Sequence, residues 1–136
     1  MEIVPNLHFN GDCEAAMALY ERAFEAKRTV FLRYQDADPR DFNQPGNEAF
    51  QKYVYHAEMQ IGNRRIMLTD HLEEIPAGIN VSLLISFDHI DPLIKAYSAL
   101  KQGARILSPL TTTTYSSGFV SLVDRFGVRW ELMVEK

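Results

Sequence analysis

Gly118-Phe119-Val120-Ser121-Leu122-Val123-Asp124-Arg125-Phe126-Gly127-Val128-Arg129-Trp130-Glu131-Leu132-Met133-Val134-Glu135-Lys136 is the stretch whose reading decides the fold. It reads as strand, tight turn, strand. Asp124 to Gly127 carries the turn chemistry, an Asp to cap it and a Gly to take a positive φ. After the turn Val128, Trp130, Leu132 and Val134 are apolar, whereas Arg129, Glu131 and Glu135 are charged; Met133 is the exception. A period of two lays one face on a core and turns the other away. What that second face meets decides the function.

The chain around it has 136 residues, 46% hydrophobic and 24% charged, which fits one globular domain with a substantial core. A net charge of −4 and the lack of a Lys/Arg-rich run argue against a nucleic-acid partner. A single cysteine, Cys13, excludes an internal disulfide, and metal-knuckle spacings are missing. Met1 to Pro5 is neither basic nor continuously apolar, so no signal peptide is expected. No apolar run approaches the roughly 20 residues of a membrane span. The expectation is a soluble cytoplasmic protein.

Taken in order, Ile3 to Phe9 predicts a strand with Asn6 and His8 on its polar side. Asp12 is placed to cap a helix whose apolar stripe is Ala16, Leu19, Tyr20, Ala23 and Phe24. Lys27 to Tyr34 predicts a strand. Gln35 to Gln51, with Pro39, Phe42, Pro45 and Gly46, predicts a long irregular segment, either a lid or binding loop or a surface loop. Tyr53 to Ile61 predicts a strand whose polar row is His56, Glu58 and Gln60, turning at Gly62-Asn63 into Arg65 to Thr69. Residues 71–80 read as a linker. Val81 to Phe87 predicts a strand with Val81, Leu83, Ile85 and Phe87 on one side. Asp91 and Pro92 are expected as N-cap and first residue of a second helix with the stripe Leu93, Ala96, Tyr97 and Leu100, closed by Gly103. Arg105 to Leu107 predicts a short strand, and Ser108 to Ser117 a loop or edge strand.

The order strand–helix–strand–strand–strand thus occurs twice. Tyr20 to Arg28 is echoed by Tyr97 to Arg105, and each half ends in a hairpin with glycine, Gly62 or Gly127. Two βαβββ modules, 1–70 and 81–136, imply a duplicated α+β fold. Its curved mixed sheets are expected around a cavity, helices outside and polar strand faces inside.

Leu7-His8-Phe9-Asn10-Gly11-Asp12-Cys13-Glu14-Ala15-Ala16 through Tyr20, His56-Ala57-Glu58-Met59-Gln60-Ile61-Gly62, Ile66-Met67-Leu68-Thr69-Asp70 and Gly118-Phe119 through Trp130 together resemble the vicinal oxygen chelate (glyoxalase/bleomycin resistance/dioxygenase) superfamily. The likeness is to its PhnB-like branch, to which Asp124-Arg125-Phe126-Gly127-Val128-Arg129-Trp130 is quite specific. That branch is sometimes labelled a demethylubiquinone methyltransferase domain, but the glycine-rich turn of a Rossmann-type nucleotide site is missing. The resemblance implies metal ligands on the first and last strands of each half. Carried over, those positions fall on Val4 or Pro5, Met67, Ser82 and Glu131, of which Glu131 alone is a credible donor. No cofactor is therefore expected; if a metal binds, Glu131 with His8 or His56 would hold it.

His56 and Glu58, two apart on one strand, point the same way. With Glu131 they are the candidate catalytic group for acid–base work. Ligand contacts are expected from His8, Met67, Thr69 and Ser82, and from Tyr115 and Phe119, whose rings would stack on a planar ligand or serve as core or dimer contacts. Cys13 lies at a helix start, where the dipole lowers a thiol pKa, but reads as a buried small residue. Three functions compete: metal-independent binding of a small molecule in the bleomycin-resistance manner, favoured because the ligand set has decayed; a metal-dependent lyase, isomerase or dioxygenase; and a metal-free acid–base enzyme. The resemblance also implies a homodimer, to which Phe31 and Phe50 could contribute.

Overall fold

Alternating strands and positive-φ glycine turns organise residues 1–41 and 48–136, the part of the chain this computed structural model describes. The chain falls into two units, residues 1–21 with 25–75, and residues 22–24 with 76–136. The first holds β1 (Asn6–Phe9), most of α1 (Cys13–Phe24), β2 (Lys27–Arg33), β3 (Val54–Ile61) and β4 (Arg64–Asp70). The second holds β5 (Leu83–Ser86), α2 (Ile90–Leu100), β6 (Arg105–Thr111), β7 (Ser116–Val123) and β8 (Arg129–Glu135). Each unit carries one four-stranded mixed sheet, ordered β1-β4-β3-β2 in the first and β5-β8-β7-β6 in the second. β1 and β4 are parallel, as are β5 and β8, and the other pairs are antiparallel. The second sheet repeats the first strand for strand, an α+β fold of two modules.

In the first sheet Ile66, Leu68 and Asp70 of β4, Ala57 and Met59 of β3 and Phe9 of β1 are buried. Their strand neighbours Arg65, Met67 and Thr69 stay half-exposed, as period two requires. Asp70 is the polar member of that buried row, 1% exposed. Its Oδ1 accepts from the backbone N–H of Gly11 (2.8 Å) and Cys13 (3.0 Å), and its Oδ2 from that of Val54 (2.9 Å). Asp12 does hold the N-cap position of α1, but its side chain makes no capping bond. Asp70 supplies the acceptor instead. Beside it, burial raises the Cys13 pKa, and the Asp70 carboxylate adds to the rise, against the lowering expected from the helix dipole. Cys13 is a buried small residue.

In the second unit Asp124 has the corresponding structural task. Oδ1 accepts from Phe126 N–H (2.9 Å) and Val128 N–H (3.1 Å), and Oδ2 from the Trp130 indole Nε1–H (2.9 Å). Gly127 takes φ 90°. One carboxylate therefore closes the hairpin turn and satisfies the buried indole.

Several boundaries differ from expectation. β1 begins at Asn6 rather than Ile3, although Pro5 O still accepts from Met67 N–H at 2.8 Å. β5 runs only Leu83–Ser86, and Val81, expected on an apolar face, is 71% exposed. α2 starts at Ile90 with His89 as N-cap, which places Asp91 and Pro92 inside the first turn, where proline's missing N–H costs nothing. The Thr-rich stretch extends β6 to Thr111 as an edge strand. In β8 Trp130 and Leu132 are buried, but so is Met133 at 6%, so the charged face is not open along its whole length. The segment expected to be irregular contains single 3-10 turns at Tyr34–Asp36, Pro39–Asp41 and Glu48–Phe50; Phe42, Pro45 and Gly46 lie outside the described residues. No helix among the described residues is long and apolar enough to cross a membrane.

Asp70→Ala strands three backbone donors, each costing about 1–3 kcal/mol when unpaired and buried, so a loss on the order of 3–5 kcal/mol is expected in urea unfolding. Asp70→Asn keeps one acceptor oxygen and should lose less. A loss under about 1 kcal/mol for the alanine variant contradicts this role.

Candidate functional site

Period two sets His56 and Glu58 of β3 beside Met67 and Thr69 of β4 on the half-exposed face of the first sheet. Met67 lies between Asn6 of β1 and Glu58 of β3 in the ladder, and His8 lies opposite Thr69. His56 Nε2 meets Glu58 Oε2 at 2.9 Å, and Arg65 Nη1 donates to Glu58 Oε1 at 2.9 Å. Arg65 in turn bonds Glu2, through Nε at 2.9 Å and Nη2 at 2.7 Å. These bonds, His56 first and Arg65 second, hold the Glu58 carboxyl below its ordinary pKa. An ionised carboxylate only accepts, so Nε2 of His56 carries the proton and Nδ1 is the free base nitrogen of the neutral ring. The unit is a carboxylate-oriented imidazole braced by a guanidinium. Thr69, expected to contact a ligand, spends its hydroxyl on Tyr55 O at 2.6 Å.

In the second unit Glu131 of β8 lies between Leu84 of β5 and Ser121 of β7. Its register position thus matches that of Met67 in the first. Ser82, two residues before Leu84, donates its hydroxyl to Glu131 Oε1 at 2.5 Å. Two residues before Asn6, the equivalent of Leu84, is Val4. That correspondence chooses Val4 over Pro5 as the fourth position. Arg129, on the same strand face as Glu131, donates to Ile79 O (2.7 Å) and Ser121 Oγ (3.4 Å). Phe119 is paired with Met133 in the ladder, and its ring lies edge-on to that of Tyr115 with centroids 6.4 Å apart; Tyr115 is 58% exposed.

The four positions where the resemblance places metal ligands therefore offer no donor at Val4, a thioether at Met67, and a neutral hydroxyl at Ser82 that is bonded to the lone carboxylate, Glu131. That set does not fit the expected catalytic centre, in which three or more protein oxygen, imidazole or thiolate donors hold a divalent cation and leave one position open. Among the described residues no three His, Cys, Asp or Glu side chains group to hold a metal ion.

Sequence reasoning missed two partners. Arg65 shares the strand parity of Met67 and Thr69, a signal that was there to be used. His71 lay in the stretch read as linker, yet it continues the same parity beyond Thr69 and meets His8, Nε2 to Nδ1, at 2.6 Å. Phe31, considered for a dimer contact, is flanked by the guanidiniums of Arg28 and Arg33, 5.3 and 4.7 Å from its ring centre. Phe50 stacks edge-on with Tyr53.

Comparison with known proteins agrees with the two-module fold. The sequence pattern of the Glyoxalase/Bleomycin resistance protein/Dioxygenase superfamily matches residues 6–132. Protein YjdN of Escherichia coli K12 is 25% identical over 142 residues, covering 100% of this chain and 97% of that protein. Protein PA1353 of Pseudomonas aeruginosa has a similar structure, with TM-score 0.86, 26% identity and coverage of 99% of this chain and 98% of the other. The PhnB protein of Bacillus cereus, described as a 3-demethylubiquinone-9 3-methyltransferase, has TM-score 0.81, 26% identity and coverage of 98% and 99%.

Glu58→Gln replaces the acceptor-only carboxylate with an amide that can either accept from or donate to Nε2, so side-chain NMR of His56 should pass from one Nε2–H tautomer to a mixture; an unchanged spectrum contradicts the assignment. A carboxyl held below its ordinary value of 4.5 stabilises the fold above that value and stops doing so as falling pH protonates it. Wild-type stability should therefore drop more steeply below about pH 4.5 than that of Glu58→Gln.

Proposed function

Because the chain belongs to the glyoxalase/bleomycin resistance protein/dioxygenase superfamily, we propose that it binds a small organic molecule on the polar strand faces of its sheets without a metal cofactor. The observation that carries this reading is the chemistry at the four ligand positions, Val4, Met67, Ser82 and Glu131, where the carboxylate is bonded to a serine hydroxyl. Met67 adds a polarisable apolar surface suited to an organic ligand. His56, Glu58 and Thr69 on the first sheet, and Phe119 with Tyr115 on the second, are the further side chains proposed as ligand contacts on their own sheets; His8 is tied to His71. Methyl transfer is not adopted, since the chain has no glycine-rich nucleotide turn.

One observation favours a second reading, metal-free acid–base catalysis. The tautomer of His56 is set by Glu58, which is what a general base requires.

The proposed partner is a second copy of the chain. The apolar side chains Ile106, Leu107 and Leu110 on edge strand β6 are 38%, 38% and 40% exposed and supply area for such contact. A cytoplasmic location goes with this reading.

Protein purified without chelator should carry far less than one Ni, Zn, Fe or Mn per chain, and screening against small organic molecules should give ligands that bind undiminished after chelation. Stoichiometric metal that is required for binding overturns the reading. A reaction lost on His56→Ala in metal-free protein moves the function to the second. Light scattering at micromolar concentration should give a dimer; a monomer refutes that part alone.

A further inference from the structure

We propose that His8 and His71 form a binding site for a borderline divalent cation of the zinc, nickel or copper class. The site uses none of Val4, Met67, Ser82 and Glu131 and holds whether or not the sheet faces bind an organic ligand. His8 Nδ1 and His71 Nε2 face each other at 2.6 Å, with ring centroids 4.8 Å apart. The sheet brings them together. His8 is opposite Thr69 in the parallel ladder, and His71, two residues further, continues the Thr69 face.

Bonds that involve neither ring hold this arrangement. His71 N–H donates to Phe9 O at 2.6 Å. The Asn10 amide donates to His71 O at 3.1 Å and to Glu73 O at 2.9 Å. Two imidazoles are thus positioned before any ion arrives, which removes most of the ordering cost of chelation.

Imidazole suits Zn, Ni and Cu, and a metal–nitrogen distance of about 2.0–2.1 Å sets two tetrahedral donors roughly 3.3 Å apart. Opening the present pair by less than about 1 Å admits the ion. In the apposed pair one facing nitrogen carries the hydrogen. Its transfer to the other nitrogen of the same ring frees both lone pairs, with no net change in protons. Both rings are accessible, and the exposed carboxylates Glu73 and Glu74 follow in sequence, favourable to a cation. With two protein donors, water completes the coordination and the ion exchanges readily.

The test is calorimetric titration of tag-free full-length protein with Zn²⁺ and then Ni²⁺. One ion per chain is expected, with at least tenfold weaker binding in His8→Gln and in His71→Gln and unchanged binding in His89→Gln. The wild-type protein alone gives a second readout that needs no variant. Substoichiometric paramagnetic Ni²⁺ should broaden the His8 and His71 ring signals before those of His56 and His89. No wild-type binding below millimolar ion, full affinity in either glutamine variant, or broadening centred elsewhere overturns the proposal.

Discussion

A buried carboxylate bonded to three backbone donors from two separate segments of the chain is the constraint on which the first module depends. Asp70 sits in the core row of β4, where an unpaired charge would be prohibitively costly. It is tolerable because Gly11, Cys13 and Val54 all direct N–H groups at it. The start of α1, the start of β3 and the end of β4 are thereby fixed together, and Tyr34 Oη–H adds a bond to the Asp70 carbonyl at 2.8 Å. The parallel pairing of Phe9 with Asp70 makes this possible. It also leaves His8, Thr69 and His71 in sequence along the opposite face. The capping of a helix and the apposition of two histidines are consequences of one register.

The second module keeps the architecture and changes the chemistry. Equivalent ladder positions hold Met67 and Glu131, Asn6 and Leu84, Glu58 and Ser121. The carboxylate sits on different strands in the two halves, on β3 in the first and on β8 in the second. Its partners differ accordingly, histidine and arginine in the one, serine in the other. Backbone pairing constrains which positions face out, but not which side chains occupy them. A duplicated fold can therefore retain its strand order while the side chains on the two polar faces diverge.

Much of the architecture was legible because period-two strands and glycine turns are local signals. Val128 to Val134, Gly127 and the helical stripe Leu93, Ala96 and Leu100 give the elements their type, and their order gives the duplication. Strand ends were less legible. Val81 looks like strand sequence, but β5 begins at Leu83, because pairing with β8 decides where a strand starts. Asp91-Pro92 looks like a helix start, yet proline is equally at home within the first turn. The site was legible in part: the parity of His56 and Glu58 was, and Arg65 could have been read the same way. His71 was hidden in a segment without periodicity.

By itself, the sequence determined the two βαβββ modules and the shared strand parity of His56 with Glu58 and of Met67 with Thr69, which depend on residue type and near-neighbour spacing. Only tertiary structure decided that Asp70 rather than Asp12 caps the first helix, that Glu58 is shared between His56 and Arg65, that Ser82 binds Glu131, and that His8 meets His71. Those pairs join residues up to 63 positions apart. Nothing local encodes the distant ones, because their geometry is set by strand register, and register is fixed only when the whole sheet buries its apolar face.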